Sequence, residues 1–140
     1  LNDFERSVKY LTELEISTRA FILLRPPFLF EKEGVIWTKK SIDYAFKIGV
    51  SSVTIIPVRS GNGAMDQLKL EKYFEEPRIE SLENVIEYGI GLNAGNVFAD
   101  LWDIEYFSKC GKCLSKRKER LNQMNLFQKI PTRVYSTCLI

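Results

Sequence analysis

Residues 52–68 place an arginine and two glycines directly after an apolar, β-branched run that ends at Pro57. Because Pro57 has no N–H to donate, a strand ends or bends at this position. Gly61 and Gly63 permit positive φ and let the backbone approach a bound group closely. Arg59 and the N–H groups of such a loop can receive a phosphate or a carboxylate. The stretch therefore predicts either a ligand-binding loop or a plain strand-to-helix connection that uses glycine for turning.

Three cysteines form a second candidate site. Cys110 and Cys113 have the two-residue spacing with which two thiolates bind one tetrahedral metal ion, and Cys138 would be a third ligand. The pair also fits a redox couple or two unrelated thiols. An odd number of cysteines argues against the disulfide framework of a secreted protein. We therefore expect a cytoplasmic protein, with zinc as the metal that the cysteines would bind.

A basic segment, residues 109–120, surrounds the first two cysteines and carries six basic residues against one acid. Together with the preceding aromatic residues Tyr106 and Phe107, it suits contact with the backbone and bases of RNA. A lysine-rich helix is more often an ordinary solvated surface. Asp100 adds a carboxylate at the end of a predicted strand, where barrel enzymes carry their reactive groups. The segment therefore leaves both an RNA contact and a plain surface open.

The elements that must position these residues alternate between helix and strand. Gly49 is predicted to end the second helix, Ser81 to begin the third, and Trp37 and Trp102 to lie in the core. This order predicts a parallel sheet, either in an α/β barrel or in a doubly wound protein. Helical spacing predicts helices over residues 3–15, over 31–48 and from 81 onward. Apolar runs predict strands over residues 20–24, 52–58 and 96–102. The charged residues 69–78 are predicted to form a surface linker.

Residues 20–24 are apolar throughout, which is typical of a strand buried on both faces of a parallel sheet. Such a strand would have an unprotected edge if no strand preceded it, and three strands cannot close a barrel. The sequence also starts in a helix at Leu1 and stops without a polar tail. We therefore expect a piece of a longer protein, with residues 1–103 as an α/β unit and 104–140 as a basic, cysteine-containing tail.

Composition excludes few classes of protein. The chain has 140 residues with 45% hydrophobic content, which predicts one domain with a substantial core. Its net charge of +2 does not by itself indicate binding to nucleic acid or membrane. No apolar run approaches the ~20 residues that a membrane span needs. Histidine is absent, so acid–base chemistry would require other side chains or a cofactor.

Several stretches, in a fixed order, resemble the second half of radical SAM enzymes. The similarity is greatest to the elongator-type and MiaB-like branch, and within it to the archaeosine-synthase-type radical SAM proteins. It spans most of residues 16–138. The stretches are Phe-Ile-Leu-Leu-Arg-Pro-Pro-Phe-Leu-Phe-Glu at 21–31, Ser-Ile-Asp-Tyr-Ala-Phe-Lys-Ile-Gly at 41–49, Ile-Ile-Pro-Val-Arg-Ser-Gly-Asn-Gly at 55–63 and Phe-Ala-Asp-Leu-Trp-Asp at 98–103, followed by the paired cysteines and Met124-Asn125.

The resemblance implies the C-terminal half of a partial TIM-type (β/α) barrel that holds a [4Fe–4S] cluster and S-adenosylmethionine and yields a 5′-deoxyadenosyl radical. In that family the fifth and sixth strands help to bind S-adenosylmethionine. The positions that correspond here are Arg25, Pro26, Ile56, Pro57, Val58, Arg59, Gly61 and Gly63. The family's C-x3-C-x2-C cluster motif is absent from this sequence. The resemblance therefore implies cluster ligands upstream, in the remainder of the parent barrel, and a fragment that is inactive alone.

By analogy with that branch, we expect the parent enzyme to modify tRNA or another nucleic acid. Two alternatives remain open. One is a non-catalytic α/β binding module whose zinc-stabilised tail docks a protein or RNA partner. The other is an ordinary TIM-barrel enzyme that binds a phosphate at the loop from Arg59 to Gly63.

Overall fold

The computed structural model describes residues 1–135. Its helices and strands follow the predicted order, except that two helices, Gly63–Leu70 and Ile79–Gly91, lie between the second and third strands, and the third strand ends at Ala99 and not at residue 102. A 3₁₀ turn at Ile104–Phe107 follows the last strand, where the sequence suggested a helix after Asp103. None of the helices in residues 1–135 combines the length and apolarity needed to cross a membrane. The elements are α1 (Asn2–Glu13), β1 (Arg19–Leu24), α2 (Glu31–Lys47), β2 (Ser52–Pro57), α3 (Gly63–Leu70), α4 (Ile79–Gly91), β3 (Asn96–Ala99) and α5 (Gly111–Phe127).

The three strands form one parallel sheet in the order β1-β2-β3. The register places Phe21 beside Thr54, and Thr54 beside Phe98. A parallel connection between neighbouring strands is right-handed, so consecutive crossovers in sequential order carry their helices to the same face. The predicted parallel α/β architecture is confirmed.

One face of this sheet is the hydrophobic core. Alternate strand residues such as Ile22, Ile55 and Val97 are buried there together with residues of the helices. Residues from the C-terminal region enter the same core, since Ile104 and Leu121 are fully buried in it. Residues 104–135 therefore pack as part of the same body as the sheet.

The other face of the sheet, which we call the open face, is not covered by any described helix. Phe21 is 66% exposed and Leu23 is 51% exposed, so the prediction that residues 20–24 are buried on both faces is wrong for this chain. Trp37 and Trp102, predicted to be core residues, are 54% and 73% exposed. The open face consists of Arg19, Phe21, Leu23, Ser52, Thr54, Ile56, Asn96 and Phe98.

Two glycines allow the close packing of loops at the amino ends of the strands. Gly49 has a φ of 101° after the end of α2, as predicted for a left-handed cap. Gly95 precedes β3 at a point where any side chain would collide with the backbone, because an added Cβ would lie 2.6 Å from the carbonyl oxygen of Ser51. Glycine is therefore required at both positions for different reasons.

The outer edge of β3, which we call the sealed edge, is closed by side-chain amides of α5 and its cap. Asn125 accepts from the Ala99 N–H at 2.8 Å and donates to the Ala99 carbonyl at 3.0 Å. Gln128 does the same for Val97, at 2.7 Å and 3.0 Å. A carboxamide carries a donor and an acceptor like a peptide group, so these two side chains replace the hydrogen bonds of a further strand.

Buried ion pairs hold α5 against α4. Arg117 contacts Glu83 at 3.3 Å, and Arg120 contacts Glu83 at 3.5 Å and Glu87 at 2.8 Å. Both arginines and Glu83 are buried. Arg133 also pairs with Glu87, at 2.6 Å, which fastens the segment after α5 to the same cluster. Two of the six basic residues in the segment 109–120 thus point into the protein.

Candidate functional site

The loops that follow the three strands lie side by side at the carboxyl edge of the sheet. The Val58 N–H donates to the Leu24 carbonyl at 3.2 Å, and the Asp100 N–H donates to the Ile55 carbonyl at 2.9 Å, so the loops leave the sheet together. Ligands of parallel α/β proteins bind at this edge. The predicted cofactor-binding positions lie at or just beyond the ends of β1 and β2, namely Arg25, Pro26, Ile56, Pro57, Val58, Arg59, Gly61 and Gly63.

Arg25 is 7% exposed and uses its guanidinium within the protein. The group donates to Glu31 at 2.7 Å, to Glu75 at 2.8 Å and to the main-chain carbonyl of Glu76 at 2.8 Å. The backbone of Arg25 has a φ of 54°, a left-handed conformation that these contacts hold in place. Arg25 therefore fastens the β1 loop to Glu75 and Glu76, within the stretch 69–78 that the sequence predicted only as a surface linker.

Arg59 connects the loop after β2 with the loop after β3. Its guanidinium donates to the Trp102 carbonyl at 2.7 Å and to the Asp100 carboxylate at 3.1 Å. The other oxygen of Asp100 accepts from the Trp102 N–H at 3.0 Å. The side chains of Arg59 and Asp100 are each 27% exposed. The structure thus brings together two residues that the sequence singled out separately, in a partly accessible ion pair at the carboxyl edge.

The amide donors of the glycine loop are already paired with carboxylates. The Ser60 N–H donates to Glu76 at 3.3 Å, and its hydroxyl donates to the same carboxylate. The Gly61 N–H donates to Asp66 at 2.9 Å, with Gly61 at a φ of 111°. Burial raises the pKa of Glu76, but hydrogen bonds from Lys69 and Ser60 outweigh burial and bring this pKa to about 2. An incoming anion would have to displace these carboxylates.

An open cleft of about 540 Å³ lies along the open face of the sheet. Phe21, Ile56 and Phe98 give it apolar walls, with the Arg19 guanidinium 4.8 Å from the centre of the Phe98 ring at one end. Asp100 lies at the other end. The Thr54 hydroxyl oxygen is buried in the middle and has no hydrogen-bond partner among the described residues. The cleft therefore offers an apolar surface flanked by opposite charges.

Sequence reasoning did not identify this cleft. Its walls come from alternate positions of the strands. In β1, both faces are apolar after Arg19, so the hydropathy of this strand does not reveal which face stays exposed. The sequence signal that could have indicated the open face is the alternation of polar and apolar residues at Ser52, Val53, Thr54 and Ile55 in β2. Which face of the sheet stays exposed depends on which side the helices cover.

Cys110 and Cys113 lie at the start of α5. Cys110 is the N-terminal cap residue, and Cys113, in the first turn, is buried. Cys138, the third predicted ligand, lies outside the described residues. Within residues 1–135, no three His, Cys, Asp or Glu side chains are grouped so that they could hold a metal ion. The described residues thus offer no ligand set for a [4Fe–4S] cluster.

The basic segment presents a mixed surface. Lys109, Lys112, Lys116 and Lys118 are exposed, whereas Arg117 and Arg120 are buried in the ion pairs with α4. Of the two aromatic residues before the segment, Tyr106 is exposed and Phe107 is buried in the core. An RNA contact at this surface would therefore involve the four lysines and Tyr106, with Trp102 exposed nearby in sequence.

Comparison of this chain with protein-family models, with curated proteins and with solved structures found no match. Function therefore has to be inferred from the order of the motifs and from the geometry of the carboxyl edge and the open face.

Proposed function

We propose that this chain is the C-terminal part of a radical SAM barrel, in which the ends of β1 and β2 bind the adenosine part of S-adenosylmethionine. The observation that carries the proposal is the one-sided sheet. Its strand order follows the chain, its helices cover one face, and the other face is open. A doubly wound sheet has helices on both faces, whereas in a barrel all helices lie outside and the opposite face lines the interior.

In the proposed barrel, the open face would line the interior. Phe21, Thr54 and Phe98 form one row across the sheet, and Leu23 and Ile56 form the next row toward the carboxyl edge. In a barrel, the inward-facing side chains of the strands fill the interior. The outer edge of β1, which no described strand pairs with, would join the preceding strand of the barrel. The upstream half would then cover Phe21 and Leu23.

The residues at the carboxyl edge fit the adenosine part of S-adenosylmethionine. Leu23 and Ile56 present apolar surface to a purine ring on the open side, and the Asp100 carboxylate can accept hydrogen bonds from ribose hydroxyls. When bound and reductively cleaved in the complete enzyme, S-adenosylmethionine supplies a 5′-deoxyadenosyl radical. The part played by this chain is to bind and orient the cofactor, with Arg25 and Arg59 holding the loops in place.

The alternative of a phosphate site in the loop from Arg59 to Gly63 has less support. The Ser60 and Gly61 N–H groups donate to Glu76 and Asp66, and Arg59 donates to Asp100. A phosphate would compete with three carboxylates that are already in place. In the alternative of a non-catalytic α/β binding module, the sheet would be the same, but the protein would bind no cofactor.

S-adenosylmethionine binding can be measured on the chain itself by saturation-transfer NMR, which detects weak complexes. We expect saturation of the adenine protons by the protein, and loss of this transfer in Ile56→Glu, which puts a charge on the open face. Ile36→Glu is the matched control because Ile36 is exposed on α2, away from the cleft. Inorganic phosphate should not raise the melting temperature. A shift with phosphate but no transfer from S-adenosylmethionine would favour the phosphate site instead.

We further propose RNA, with tRNA as the expected form, as the substrate of the complete enzyme. Support comes from the exposed lysines of α5 and the exposed aromatic rings of Trp102 and Tyr106. In the complete enzyme, Lys116→Glu with Lys118→Glu should weaken tRNA binding and reduce the slope of log K against log salt by roughly 1.4, at about 0.7 per phosphate contact on a single strand. Lys40→Glu on α2 is the control. Unchanged affinity and slope would exclude this surface as the RNA site.

A further inference from the structure

We infer that Cys110 and Cys113 form a redox-active dithiol, in which Cys110 attacks the disulfide of a small anionic molecule and Cys113 then closes an internal disulfide. This site is separate from the proposed S-adenosylmethionine site and does not depend on the radical chemistry. Three observations support the inference: both thiols lie in one helical turn, they differ in exposure, and positive charge surrounds them.

The two cysteines lie at the start of α5. Cys110 is the N-terminal cap residue, and Cys113 follows three positions later. The Leu114 N–H donates to the Cys110 carbonyl at 3.2 Å, which closes the first turn of the helix. Cα atoms three residues apart in a helix are separated by about 5 Å, within the range of about 4.4–6.8 Å that disulfides join. An internal disulfide can therefore form without unwinding α5.

The two thiols differ in their access to solvent. Cys110 is partly exposed, whereas Cys113 is 8% exposed. Lys109 and Gly111, on either side of Cys110, are exposed, and a Cβ added at Gly111 would meet none of the described atoms outside its chain neighbours and its own helix backbone. A dissolved disulfide therefore reaches Cys110 first. Cys113 needs no such access, because it reacts with the neighbouring Cys110 sulfur.

Positive charge at the start of α5 favours both a thiolate at Cys110 and an anionic reactant. Lys109, Lys112 and Lys116 are exposed and lie within six residues of Cys110 in sequence. The N–H groups in the first turn of this 17-residue helix add partial positive charge. The thiolate is the form of cysteine that attacks a disulfide. The same charges attract a reactant that carries carboxylates, such as oxidised glutathione.

The proposed exchange has two steps. The Cys110 thiol loses its proton, and its sulfur attacks one sulfur of the small disulfide, which forms a mixed disulfide and releases the other half as a thiolate. The Cys113 thiol then loses its proton, attacks the Cys110 sulfur and releases the second half. Each released thiolate takes up a proton. In total the chain gives up two electrons and two protons, and one small disulfide becomes two small thiols.

The test is the reaction of the reduced full chain with oxidised glutathione, followed by alkylation of the remaining thiols and mass spectrometry of the peptides. We expect the native chain to form one internal disulfide between Cys110 and Cys113. Cys113→Ser should accumulate about tenfold more glutathione on Cys110 than the native chain does, because the second step is blocked. In Cys110→Ser, Cys113 should react about tenfold more slowly than Cys110 does in the native chain, because Cys113 is buried.

Cys138→Ser is the matched control, since it leaves both thiols of the pair and should form the same internal disulfide at the native rate. Lys112→Glu tests the effect of charge. It should slow the reaction with oxidised glutathione about threefold more than the reaction with the uncharged 2-hydroxyethyl disulfide. Equal slowing of the two reactions would exclude selection of an anionic reactant.

Circular dichroism checks that Cys113→Ser, whose substituted position is buried, remains folded, and Cys110→Ser decides the matter if it does not. Three results would overturn the dithiol site: a native chain that keeps both thiols in oxidised glutathione, a disulfide that includes Cys138, or a Cys113 that reacts in Cys110→Ser as fast as native Cys110. S-adenosylmethionine binding is measured separately, so failure of one proposal is distinguishable from failure of the other.

Discussion

The two edges of the three-stranded sheet differ in whether their outer backbone groups are paired by other described residues. At the sealed edge, the backbone groups of Val97 and Ala99 bond to the amides of Gln128 and Asn125. At the outer side of β1, which we call the open edge, no described residue forms a further strand. Among residues 1–135, the backbone groups at the outer side of β3 are therefore paired with side chains, whereas the outer side of β1 has no strand beside it.

The two faces of the sheet also differ, because helices cover one face and leave the other exposed. The covered face holds fully buried residues such as Val53 and Ile55, whereas the open face leaves Phe21 and Leu23 largely exposed. An exposed apolar face next to an unpaired strand edge is a common site of association. The open edge and the open face therefore belong to one surface, and the predictions below test how it differs from the sealed edge.

The sealed edge should be lost when α5 is detached from α4. Arg120→Met removes the partner of Glu83 and Glu87 and the donor to the Pro131 and Thr132 carbonyls. Breaking a buried ion pair from one side costs about 3–5 kcal/mol, so we expect a loss of this size in the free energy of unfolding. Urea denaturation measures it.

Lys118→Met is the matched control for Arg120→Met, because Lys118 is half-exposed on the same helix and reaches Glu105 only at 4.0 Å. Its effect should stay within about 0.5 kcal/mol. If Arg120→Met cost no more than this control, the buried cluster would not be what holds α5 in place.

A smaller change should open the sealed edge without detaching α5. Asn125→Leu leaves the Ala99 N–H and carbonyl without partners, which should cost about 1–3 kcal/mol and raise self-association. Gln123→Leu is the control because, among the described residues, the Gln123 amide bonds only to Glu119, on the surface of the helix. Urea denaturation and sedimentation velocity give both quantities. Equal stability of the two variants would mean that the amide does not seal β3.

The loops beside β1 and β2 should respond to acid, unlike the amides of the sealed edge. The pKa of Glu76 is lowered to about 2 from an ordinary value of 4.5, so its ionised form favours the folded state. This contribution is present above pH 4.5 and is lost as the pH falls toward 2. Its size should be about 1–2 kcal/mol after allowance for solvent screening.

Unfolding measured from pH 6 to pH 2.5 tests the role of Glu76. Glu76→Gln should be less stable than the native chain at pH 6 and should approach it at low pH. Glu71→Gln is the control, because Glu71 is exposed and bonds only to Gln67 among the side chains of the described residues. A constant difference between Glu76→Gln and the native chain at every pH would contradict this assignment.

The smallest effect on stability is expected at the open face. Phe21→Lys should change the free energy of unfolding by less than about 0.5 kcal/mol, because Phe21 is largely exposed. It should weaken self-association of the isolated chain by about tenfold, since a lysine on an exposed strand opposes edge-to-edge pairing. Ile36→Lys on α2 is the control, and sedimentation velocity is the measurement. A native chain that is monomeric at every concentration would count against the half-barrel proposal.

The elements were largely predictable because their signals are local. Apolar spacing placed β1, α2 and β2 within about two residues of their observed bounds, and the left-handed glycine after α2 was expected at Gly49. The side-by-side loops at the carboxyl edge followed from the parallel order of the strands. In the last third of the chain, the sequence did not predict which side chains are buried and which are exposed. Arg117, Arg120 and Phe107 are buried in the structure.

The contacts of the candidate site required the folded chain. Arg25 bonds to the carbonyl of Glu76, 51 residues away, and Arg59 bonds to the carbonyl of Trp102, 43 residues away. No local pattern specifies such pairings, because each depends on where two loops emerge from the sheet. The same holds for Asn125, because nothing in the sequence of α5 shows that this amide bonds to the backbone of β3.

The amino-acid sequence by itself determined the alternation of helices and strands, the parallel sheet and the candidate loops, since these follow from hydropathy periods and from the φ restrictions of glycine and proline. Only the tertiary structure decided which face of the sheet is open, which edge is sealed and which charges are buried. Those outcomes depend on the packing of α2, α4 and α5 against one side of the strands, and packing between distant segments leaves no signature in the local pattern.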